Sequence, residues 1–408
     1  MVRSRDCCLV VLVLVACGRP ATQETVHVDN GSAMPLASTS DEKVTDVLLE
    51  PKIVQAGDVK RAPRPKHSEV IRHITAGAKH VCALTTRGQV YCWGRNRHKE
   101  LGLTKVDETW RPSRVPLLEA AVWVEANDRR TCAVERDGEM VCWGQGRGLS
   151  ATLPQKQRSM KPVRKLWVGA TGSVCALFGD GSHCLSTAKG GDSSTFVARG
   201  RNHACLLFKD GHVECRGANA LGQAGRVGAE PTRRFAKVAG LKSKVRRLSA
   251  GHDHTCVVGH DGRVWCWGSN AHGQLGTPPR VEKVRRGAKR SRQRKQPPEF
   301  SATAVPVPGV RGAVDVVARY YHTCAILKRG AVRCWGRSRY GVLGPKGSRG
   351  ALKGVEGVTS LALGRTHTCA LTDSGEVWCW GLNDDGQVGS KVRSRAKIPT
   401  RVYVGDTS

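Results

Sequence analysis

The segment Cys132-Ala-Val-Glu-Arg-Asp-Gly138-Glu-Met-Val-Cys142 decides the fold of this chain. Two short apolar runs flank a central Arg-Asp-Gly, and the glycine can take the left-handed conformation that a three-residue hairpin loop requires. Counting outward from the loop puts Cys132 opposite Cys142 in a β-hairpin. If the closing pair is hydrogen-bonded, the cysteines form a non-hydrogen-bonded pair with Cα atoms about 4.5 Å apart. That separation suits an unstrained disulfide.

The hairpin pattern recurs seven times and accounts for fourteen of the 17 cysteines. Six pairs are ten residues apart, whereas the third pair is one residue shorter, which leaves its register open. The pairs are Cys82 and Cys92, Cys132 and Cys142, Cys175 and Cys184, Cys205 and Cys215, Cys256 and Cys266, Cys324 and Cys334, and Cys369 and Cys379. A glycine follows the first cysteine of each pair by six residues, at Gly88, Gly138, Gly181, Gly211, Gly262, Gly330 and Gly375. Such self-similarity indicates a repeat architecture.

Disulfides explain these pairs better than zinc. Several pairs include His-x-Cys, as in His254-Thr255-Cys256, which leaves zinc as an alternative. Zinc ribbons, however, group cysteines a few residues apart, and the chain contains no C-x-x-C. We therefore predict seven intra-hairpin disulfides, no metal and no cofactor. Each bridge is expected to stabilise the fold by about 2 to 3 kcal/mol in the chain-entropy model.

The first residues have the layout of an export signal. Arg3 and Arg5 precede an apolar stretch at residues 7–15, which is too short to span a bilayer and is typical of a signal-peptide core. The Leu-Val-Ala-Cys17 that ends it resembles the bacterial lipobox. The resemblance implies cleavage before Cys17 and a lipid anchor on its sulfur, and Gly18 in place of Asp implies passage to the outer membrane. The alternative is an ordinary secretory signal.

Around the hairpins the repeats share the motifs A-G-x-x-H-x-C-A-L, G-x-V-x-C-W-G and N-x-x-G-Q-L-G. The clearest copies run from Gly251 to Gly276 and from Gly364 to Gly389. These motifs resemble the regulator of chromosome condensation (RCC1) repeat family, and the cysteine hairpins resemble its bacterial exported variants. The resemblance implies an all-β fold, a seven-bladed β-propeller with intra-hairpin disulfides.

The predicted organisation has four parts. They are a lipoprotein signal peptide at residues 1–16, a flexible polar tether at 17–68, the propeller at 69–404 with a basic insertion at 280–299, and a tail at 405–408. The propeller ring is expected to close either through residues 399–404 or through the segment near residues 69–74.

Two repeats depart from the consensus. Repeat three has Cys184-Leu-Ser where Cys-Trp-Gly is expected, and only 30 residues separate Cys175 from Cys205. We expect this blade to lack its outer strands. Repeat four has Arg216 in place of the tryptophan.

Two residue types recur at fixed repeat positions. The histidines are His80, His203, His254, His322 and His367, whereas repeats two and three have Arg130 and Ser173 there. Convergence of these histidines near the propeller axis would make a site for a metal or a small anion. The family pattern instead implies that each histidine packs its blade and is hydrogen-bonded within its own repeat. The tryptophans, which we assign to the core rather than to a stacking platform, are Trp93, Trp143, Trp267, Trp335 and Trp380.

The repeat does not explain the insertion behind repeat five. Residues 280–299 contain nine Lys or Arg and two Glu, a net charge of +7. The central cations are Arg285, Arg286, Lys289, Arg290, Arg292, Arg294 and Lys295. The run fits either a solvated, disordered loop or an arm that binds a polyanion through ionic contacts. Because it has no base-stacking aromatics, no specific nucleic acid is expected.

Composition narrows the function classes. The 408 residues carry a formal net charge of +32, which favours anionic partners without locating a binding face. No apolar run approaches the roughly 20 residues of a spanning helix. The chain has no G-x-S-x-G, no H-E-x-x-H and no phosphate-binding glycine loop.

We therefore expect an exported, non-enzymatic envelope lipoprotein, held at the bacterial outer membrane by its lipid. Its monomeric propeller is expected to bind an unknown protein or an anionic envelope polymer. The alternative is a secreted propeller that inhibits an enzyme, as exported β-lactamase inhibitor proteins do. A third hypothesis is guanine-nucleotide exchange, the activity of the family's eukaryotic namesake. The export signal argues against it, because the GTPase would be in the cytosol.

Overall fold

The computed structural model describes residues 70–405 except 119, 147–148, 158–161, 164, 169–173, 179–180, 185–187, 190–193, 278–299, 346–351 and 353. The predicted signal peptide, Cys17, the tether and the basic insertion lie outside the described residues. Within the described ranges, no helix is long and apolar enough to cross a membrane.

The described strands form seven antiparallel sheets, and each sheet contains the cysteine pair of one repeat. Sheet 1 has β1 (Ile71–Ala76), β2 (His80–Thr85), β3 (Val90–Arg95) and β4 (Glu108–Arg114). Sheet 2 has β5 (Ala121–Ala126), β6 (Arg130–Glu135), β7 (Met140–Gly146) and β8 (Leu149–Gln157). Sheet 3 has β9 (Lys165–Val168), β10 (Val174–Phe178), β11 (Gly181–Cys184) and β12 (Ala188–Lys189). Sheet 4 has β13 (Ser194–Arg199), β14 (His203–Phe208), β15 (Val213–Gly217) and β16 (Thr232–Lys237).

The remaining repeats follow the same plan. Sheet 5 has β17 (Val245–Ala250), β18 (His254–Gly259), β19 (Val264–Ser269) and β20 (Phe300–Pro306). Sheet 6 has β21 (Ala313–Arg319), β22 (His322–Leu327) and β23 (Val332–Gly336), with the 3₁₀ turns η1 (Lys328–Gly330) and η2 (Arg339–Gly341). Sheet 7 has β24 (Val358–Leu363), β25 (His367–Thr372), β26 (Val377–Gly381) and β27 (Ala396–Val402). The predicted all-β propeller is confirmed.

The cysteines lie opposite each other in every hairpin. Six pairs form disulfides with Cα atoms 4.0 to 4.1 Å apart, slightly closer than expected. In the third hairpin the backbone of Cys175 pairs with that of Cys184, although their side chains lie outside the described ones. Phe178 pairs with Gly181 there, so a two-residue loop replaces the usual three. The shorter loop compensates for the missing residue and keeps the register.

Blade three is shortened rather than incomplete. Its outer strand β12 pairs Ala188 with Cys184 and Lys189 with His183. The expectation that this blade lacks outer strands is therefore wrong. This outer strand is two residues long, and the next sheet begins at Ser194.

The hydrophobic core lies in the seams between neighbouring sheets. The strands β2, β18 and β25 are buried along their whole length, because a neighbouring sheet covers each of their faces. In one seam, Leu84 of sheet 1 packs with Val124 and Trp143 of sheet 2. In the equivalent seam further along the chain, Val213 of sheet 4 packs with Trp267 of sheet 5. Seam packing is therefore the common source of stability for the blades.

The ring closes by packing, not by strand exchange. The strand β27 pairs with β26, and β1 pairs with β2, so neither terminal segment enters the sheet of the other. Instead Ile74 and Val81 of sheet 1 pack with Val377 and Val402 of sheet 7. Both segments named in the prediction take part in the closure, Ile74 from one and Val402 from the other, through an apolar contact between two sheets.

Candidate functional site

The propeller presents two different faces. In each antiparallel sheet, the connection from the first to the second strand emerges at the same end as the chain that leaves the third strand, which leads to the fourth strand in every sheet except the three-stranded sheet 6. We call this end the loop face. The opposite hairpin face carries the cysteine hairpins and the connections between sheets. The basic insertion belongs to the connection between β19 and β20, and the nearest described residues on either side of it, Thr277 and Phe300, lie at the loop face.

Repeated asparagine and glutamine side chains order the loop face. In repeat five, Asn270 Oδ1 accepts a hydrogen bond from the backbone N–H of Leu275 at 2.9 Å, and Gln274 Oε1 accepts one from His272 at 2.7 Å. Equivalent contacts recur at Asn96, Asn219 and Asn383. These contacts explain the N-x-x-G-Q motif, and they give the face a fixed framework.

The recurring histidines lie in the seams and not around a common site. His254 Nε2 is 2.8 Å from Thr323 Oγ1 of the next repeat. The same contact joins His80 to Thr131 at 3.0 Å, His203 to Thr255 at 2.8 Å and His322 to Thr368 at 3.3 Å. The predicted packing role is confirmed, but the predicted hydrogen bond within the same repeat is wrong. The His254 ring lies against Gly251, where a Cβ would be only 2.1 Å from His254 Cε1. Because glycine leaves this space open, His254 Nε2 can reach the neighbouring sheet.

The proton positions follow from the threonine partners. Thr131 Oγ1 donates to the Glu100 carbonyl at 2.8 Å, and Thr368 Oγ1 donates to the Val342 carbonyl at 2.9 Å. Since each hydroxyl has one proton, it must accept from the histidine, and the proton resides on histidine Nε2. Burial lowers the pKa of His203 to about 4 and that of His254 to about 3, so these rings are neutral.

The histidines therefore provide no metal site. Among the described residues, the groups close enough to share an ion are the carboxylates of Glu135, Asp137 and Glu139 at the tip of one hairpin, two of them exposed. An exposed acidic cluster is common without a metal, and we assign it no role.

The tryptophans also join neighbouring sheets, as predicted for core residues. In four of the five, the indole N–H donates to a backbone carbonyl of the preceding repeat. The pairs are Trp143 with Glu100 at 3.0 Å, Trp267 with Gln223 at 3.1 Å, Trp335 with Gln274 at 2.9 Å and Trp380 with Val342 at 2.9 Å. In repeat four, where Arg216 replaces the tryptophan, its guanidinium lies 4.6 Å from the Phe235 ring centroid.

Side chains fill the centre of the loop face. The Tyr320 hydroxyl donates to Asp128, and Arg319 Nη2 donates to the Ala126 carbonyl at 2.9 Å. These contacts join sheet 6 to sheet 2, which are not neighbours in the ring. Burial, together with the Asp128 carboxylate, raises the pKa of Tyr320 well above 10. The His252 ring packs on Tyr320 with centroids 4.7 Å apart.

Beside this centre, arginines alternate with aromatic rings across repeats five to seven. Arg337 lies over the Tyr321 ring at 5.4 Å, and Arg339 lies over the Tyr340 ring at 5.0 Å. We call this surface the arginine–tyrosine band; its members are His252, His272, Tyr320, Tyr321, Arg337, Arg339, Tyr340 and Arg365. Stacking on the rings fixes the guanidinium planes while leaving their N–H groups free to bind.

A cavity opens within the band, at the boundary of sheets 6 and 7. Its volume is about 290 Å³, near the lower end of the range for ligand pockets. Its charged and aromatic walls are Lys79, Tyr321, Arg337, Arg339, Tyr340, Arg365 and Asp384. The arrangement can accept an anionic group, and no nucleophile with a neighbouring base lies in it.

Sequence reasoning missed this band, although it left a signal. Tyr320 and Tyr321 occupy the two positions that hold Ala78 and Lys79 in repeat one, immediately before the recurring histidine. Comparing what differs between the repeats, rather than what they share, would have singled out these positions.

Models of the regulator of chromosome condensation (RCC1) repeat match the chain in two sets of segments. One model matches residues 71–99, 245–274, 313–342 and 358–387. The other matches residues 87–134, 261–326 and 374–406.

Individual proteins are similar to parts of the chain. Ultraviolet-B receptor UVR8 of Arabidopsis thaliana is 27% identical over 281 residues, which cover 68% of this chain and 56% of the receptor. A Caenorhabditis elegans homolog of X-linked retinitis pigmentosa GTPase regulator is 29% identical over 144 residues, or 35% of this chain and 9% of that protein. The crystal structure of Prp20p from Saccharomyces cerevisiae aligns with a TM-score of 0.46 at 20% identity, covering 83% of this chain and 77% of that one. The chain thus spans about half the length of the plant receptor.

Proposed function

Because the chain belongs to the regulator of chromosome condensation (RCC1) repeat family, we propose that it is a non-enzymatic binding scaffold that recognises a protein or an anionic polymer. We further propose that it acts at the bacterial cell envelope after export, held at the outer membrane by a lipid on Cys17. The lipobox-like residues and the paired cysteines support this location, since hairpin disulfides persist in oxidising compartments.

The arginine–tyrosine band is the observation that carries the binding proposal. Arginine and tyrosine are enriched at protein interfaces because they combine large contact areas with hydrogen-bonding groups. The described residues on either side of the basic insertion also lie at the loop face, and the insertion itself carries a net charge of +7. Electrostatic complementarity of this kind speeds association with an acidic partner.

The test is crosslinking in intact cells, followed by pull-down of the full-length chain and identification of bound proteins and glycans. Two variants locate the binding face. Arg339→Glu changes the band, whereas Arg311→Glu makes the same charge change on an exposed residue of the hairpin face. We expect the first variant to lose the crosslinked partner and the second to keep it.

Three results would contradict the proposal. Equal capture by both variants would remove the loop face from binding. Recovery of the chain from the cytosol with free thiols would restore the exchange-factor hypothesis. One-to-one copurification with an enzyme whose activity the chain abolishes would establish the inhibitor alternative instead.

A further inference from the structure

We propose that the cavity between sheets 6 and 7 binds the phosphate group of a phosphate monoester. This inference rests on the proposed function, and it deepens it by naming the chemistry that the loop face recognises.

The cavity has an excess of positive charge. Arg337, Arg339 and Arg365 line the cavity and form no salt bridge with any residue that the structure describes. Lys79, by contrast, is held by Asp384 at 3.1 Å and Asp385 at 2.6 Å. The four cations and two carboxylates leave two positive charges uncompensated. A phosphate monoester carries about −1.5 to −2 at neutral pH and matches this excess.

Two arginines of the cavity are held in place by tyrosine rings. The planar guanidinium groups of Arg337 and Arg339 are oriented by the Tyr321 and Tyr340 rings beneath them. A guanidinium with a fixed plane presents paired N–H donors, which match two oxygens of one phosphate. Because the stacking orders these side chains before binding, less conformational entropy is lost on capture.

The rest of the cavity wall is also compatible with an anionic ligand. Both oxygens of Asp384 are engaged, Oδ2 by Lys79 at 3.1 Å and Oδ1 by Gln387 Nε2 at 2.9 Å, so their repulsion toward an anion is reduced. Buried Val342 and half-buried Leu382 add apolar wall beside the cations. With a volume of about 290 Å³, the cavity has room for a body the size of one sugar ring as well as its phosphate.

The experiment is isothermal titration calorimetry on the full-length chain at about 0.15 M salt, which screens non-specific attraction to the basic surface. The probes are glucose 1-phosphate, inorganic phosphate and succinate. We expect glucose 1-phosphate to bind several-fold more tightly than inorganic phosphate, because its sugar reaches the cavity wall. Succinate is expected to bind at least tenfold more weakly than the ester.

Variants assign the binding to the cavity. Arg337→Gln combined with Arg365→Gln is expected to weaken glucose 1-phosphate at least tenfold, since hydrogen bonds to charged groups are the strong ones. Arg339→Gln, at an exposed position, provides a second variant if the double variant folds poorly. The matched control Arg311→Gln lies on the hairpin face and is expected to bind normally.

Equal affinity for the ester and inorganic phosphate would overturn the ester assignment in favour of free phosphate. Equal affinity for succinate, or equal loss in the Arg311→Gln control, would overturn the site. The outcomes separate the two proposals. If phosphate fails to bind but the band variant still loses its crosslinked partner, this inference falls and the proposed function stands. If the ester binds but crosslinking does not depend on the band, the proposed function falls.

Discussion

The seam that closes the ring differs from the seams within the chain. In four internal seams, between sheets 1 and 2, 4 and 5, 5 and 6, and 6 and 7, a histidine contacts the threonine of the next repeat, as His80 does Thr131, and a tryptophan donates to a carbonyl of the preceding repeat. At the closing seam, Val81 occupies the threonine position. The imidazole nitrogens of His367 have no hydrogen-bond partner among the described residues, and neither has the indole nitrogen of Trp93.

Ion pairs join the two sheets at the closing seam. Lys79 of repeat one pairs with Asp384 and Asp385 of repeat seven, and Arg393 pairs with Glu108 at 2.8 Å. The backbone N–H of Arg365 also donates to the Ala78 carbonyl at 3.0 Å. One repeat framework thus joins its sheets in two ways, through buried neutral hydrogen bonds or through more exposed ion pairs. The first kind responds to protonation of histidine and the second to salt.

Acid should produce the largest loss of stability, because it protonates the histidines that are buried and neutral in the folded chain. Burial lowers the pKa of His203 to about 4 and those of His254, His322 and His367 to about 3, and it lowers that of His80 well below 6.5. The unfolded chain therefore binds more protons than the folded chain below about pH 6.5. As the pH is lowered below about 6.5, the free energy of unfolding should decrease by up to about 1.4 kcal/mol per pH unit for each histidine. The decrease should end where the pH reaches the pKa of the histidine in the folded chain.

Urea denaturation from about pH 7 to about pH 5 measures this dependence. The variant His203→Gln removes one titrating group, so its free energy of unfolding should depend less steeply on pH, by the contribution of one histidine. A free energy of unfolding that does not change over this range would contradict the neutral, buried state of these rings.

The next largest effect is expected from Thr131→Val, which gives an internal seam the side chain found at the closing seam. Valine has nearly the same shape as threonine but lacks the hydroxyl. His80 then loses its acceptor, and the Glu100 carbonyl loses one of its donors. The expected cost is about 1 to 3 kcal/mol, the range for an unsatisfied buried polar group. A change below a few tenths of a kcal/mol in the urea experiment would show that this relay does not stabilise the seam.

The reciprocal variant, Val81→Thr, should give the closing seam the relay that it lacks. The added hydroxyl would accept from His367 and donate to the Gln387 carbonyl, the position equivalent to Glu100 in the first repeat. We expect stabilisation by about 1 kcal/mol, read as a higher urea midpoint at neutral pH. Destabilisation of similar size would mean that the closing seam has a geometry different from the internal ones.

The blade plan could be predicted from the sequence because strand pairing imposes fixed spacings. Cys132 and Cys142 must face each other across a three-residue loop, and the same spacing holds in every other hairpin except the third, whose loop is one residue shorter. The partner of each histidine was harder to assign, although the signal was present in His254-Thr255, His322-Thr323 and His367-Thr368. Spacing reveals which residues share a strand, but not which neighbouring sheet a side chain reaches.

The candidate site could not be predicted in this way. The arginine–tyrosine band combines residues of three repeats, such as His272, Tyr321 and Arg337, that become neighbours only when the sheets pack around the axis. Tyr321 occupies the position of Lys79 in repeat one, whereas His272 and Arg337 recur there as His98 and Arg95. The repeat pattern therefore identifies the framework, but it does not show which combination of side chains meets at the site.

The smallest effect is expected from Glu108→Gln, which removes the ion pair with Arg393 at the closing seam. Both side chains are partly exposed, at 33% and 39%, so the pair should contribute only about 0.2 to 1 kcal/mol. Its signature is salt dependence. At low salt the variant should be less stable than the parent chain, and the difference should shrink as added salt screens the pair.

The matched control is Glu139→Gln, which removes an exposed ion pair with Lys156 inside repeat two. This pair joins strands of one sheet, so its loss leaves the ring closure intact. If the closing seam opens first on unfolding, Glu108→Gln should increase hydrogen exchange at the backbone N–H of Arg365, whereas Glu139→Gln should not. Equal exchange at Arg365 in both variants would mean that the charged seam opens together with the neutral ones, and that the two kinds of seam differ in chemistry but not in their order of opening.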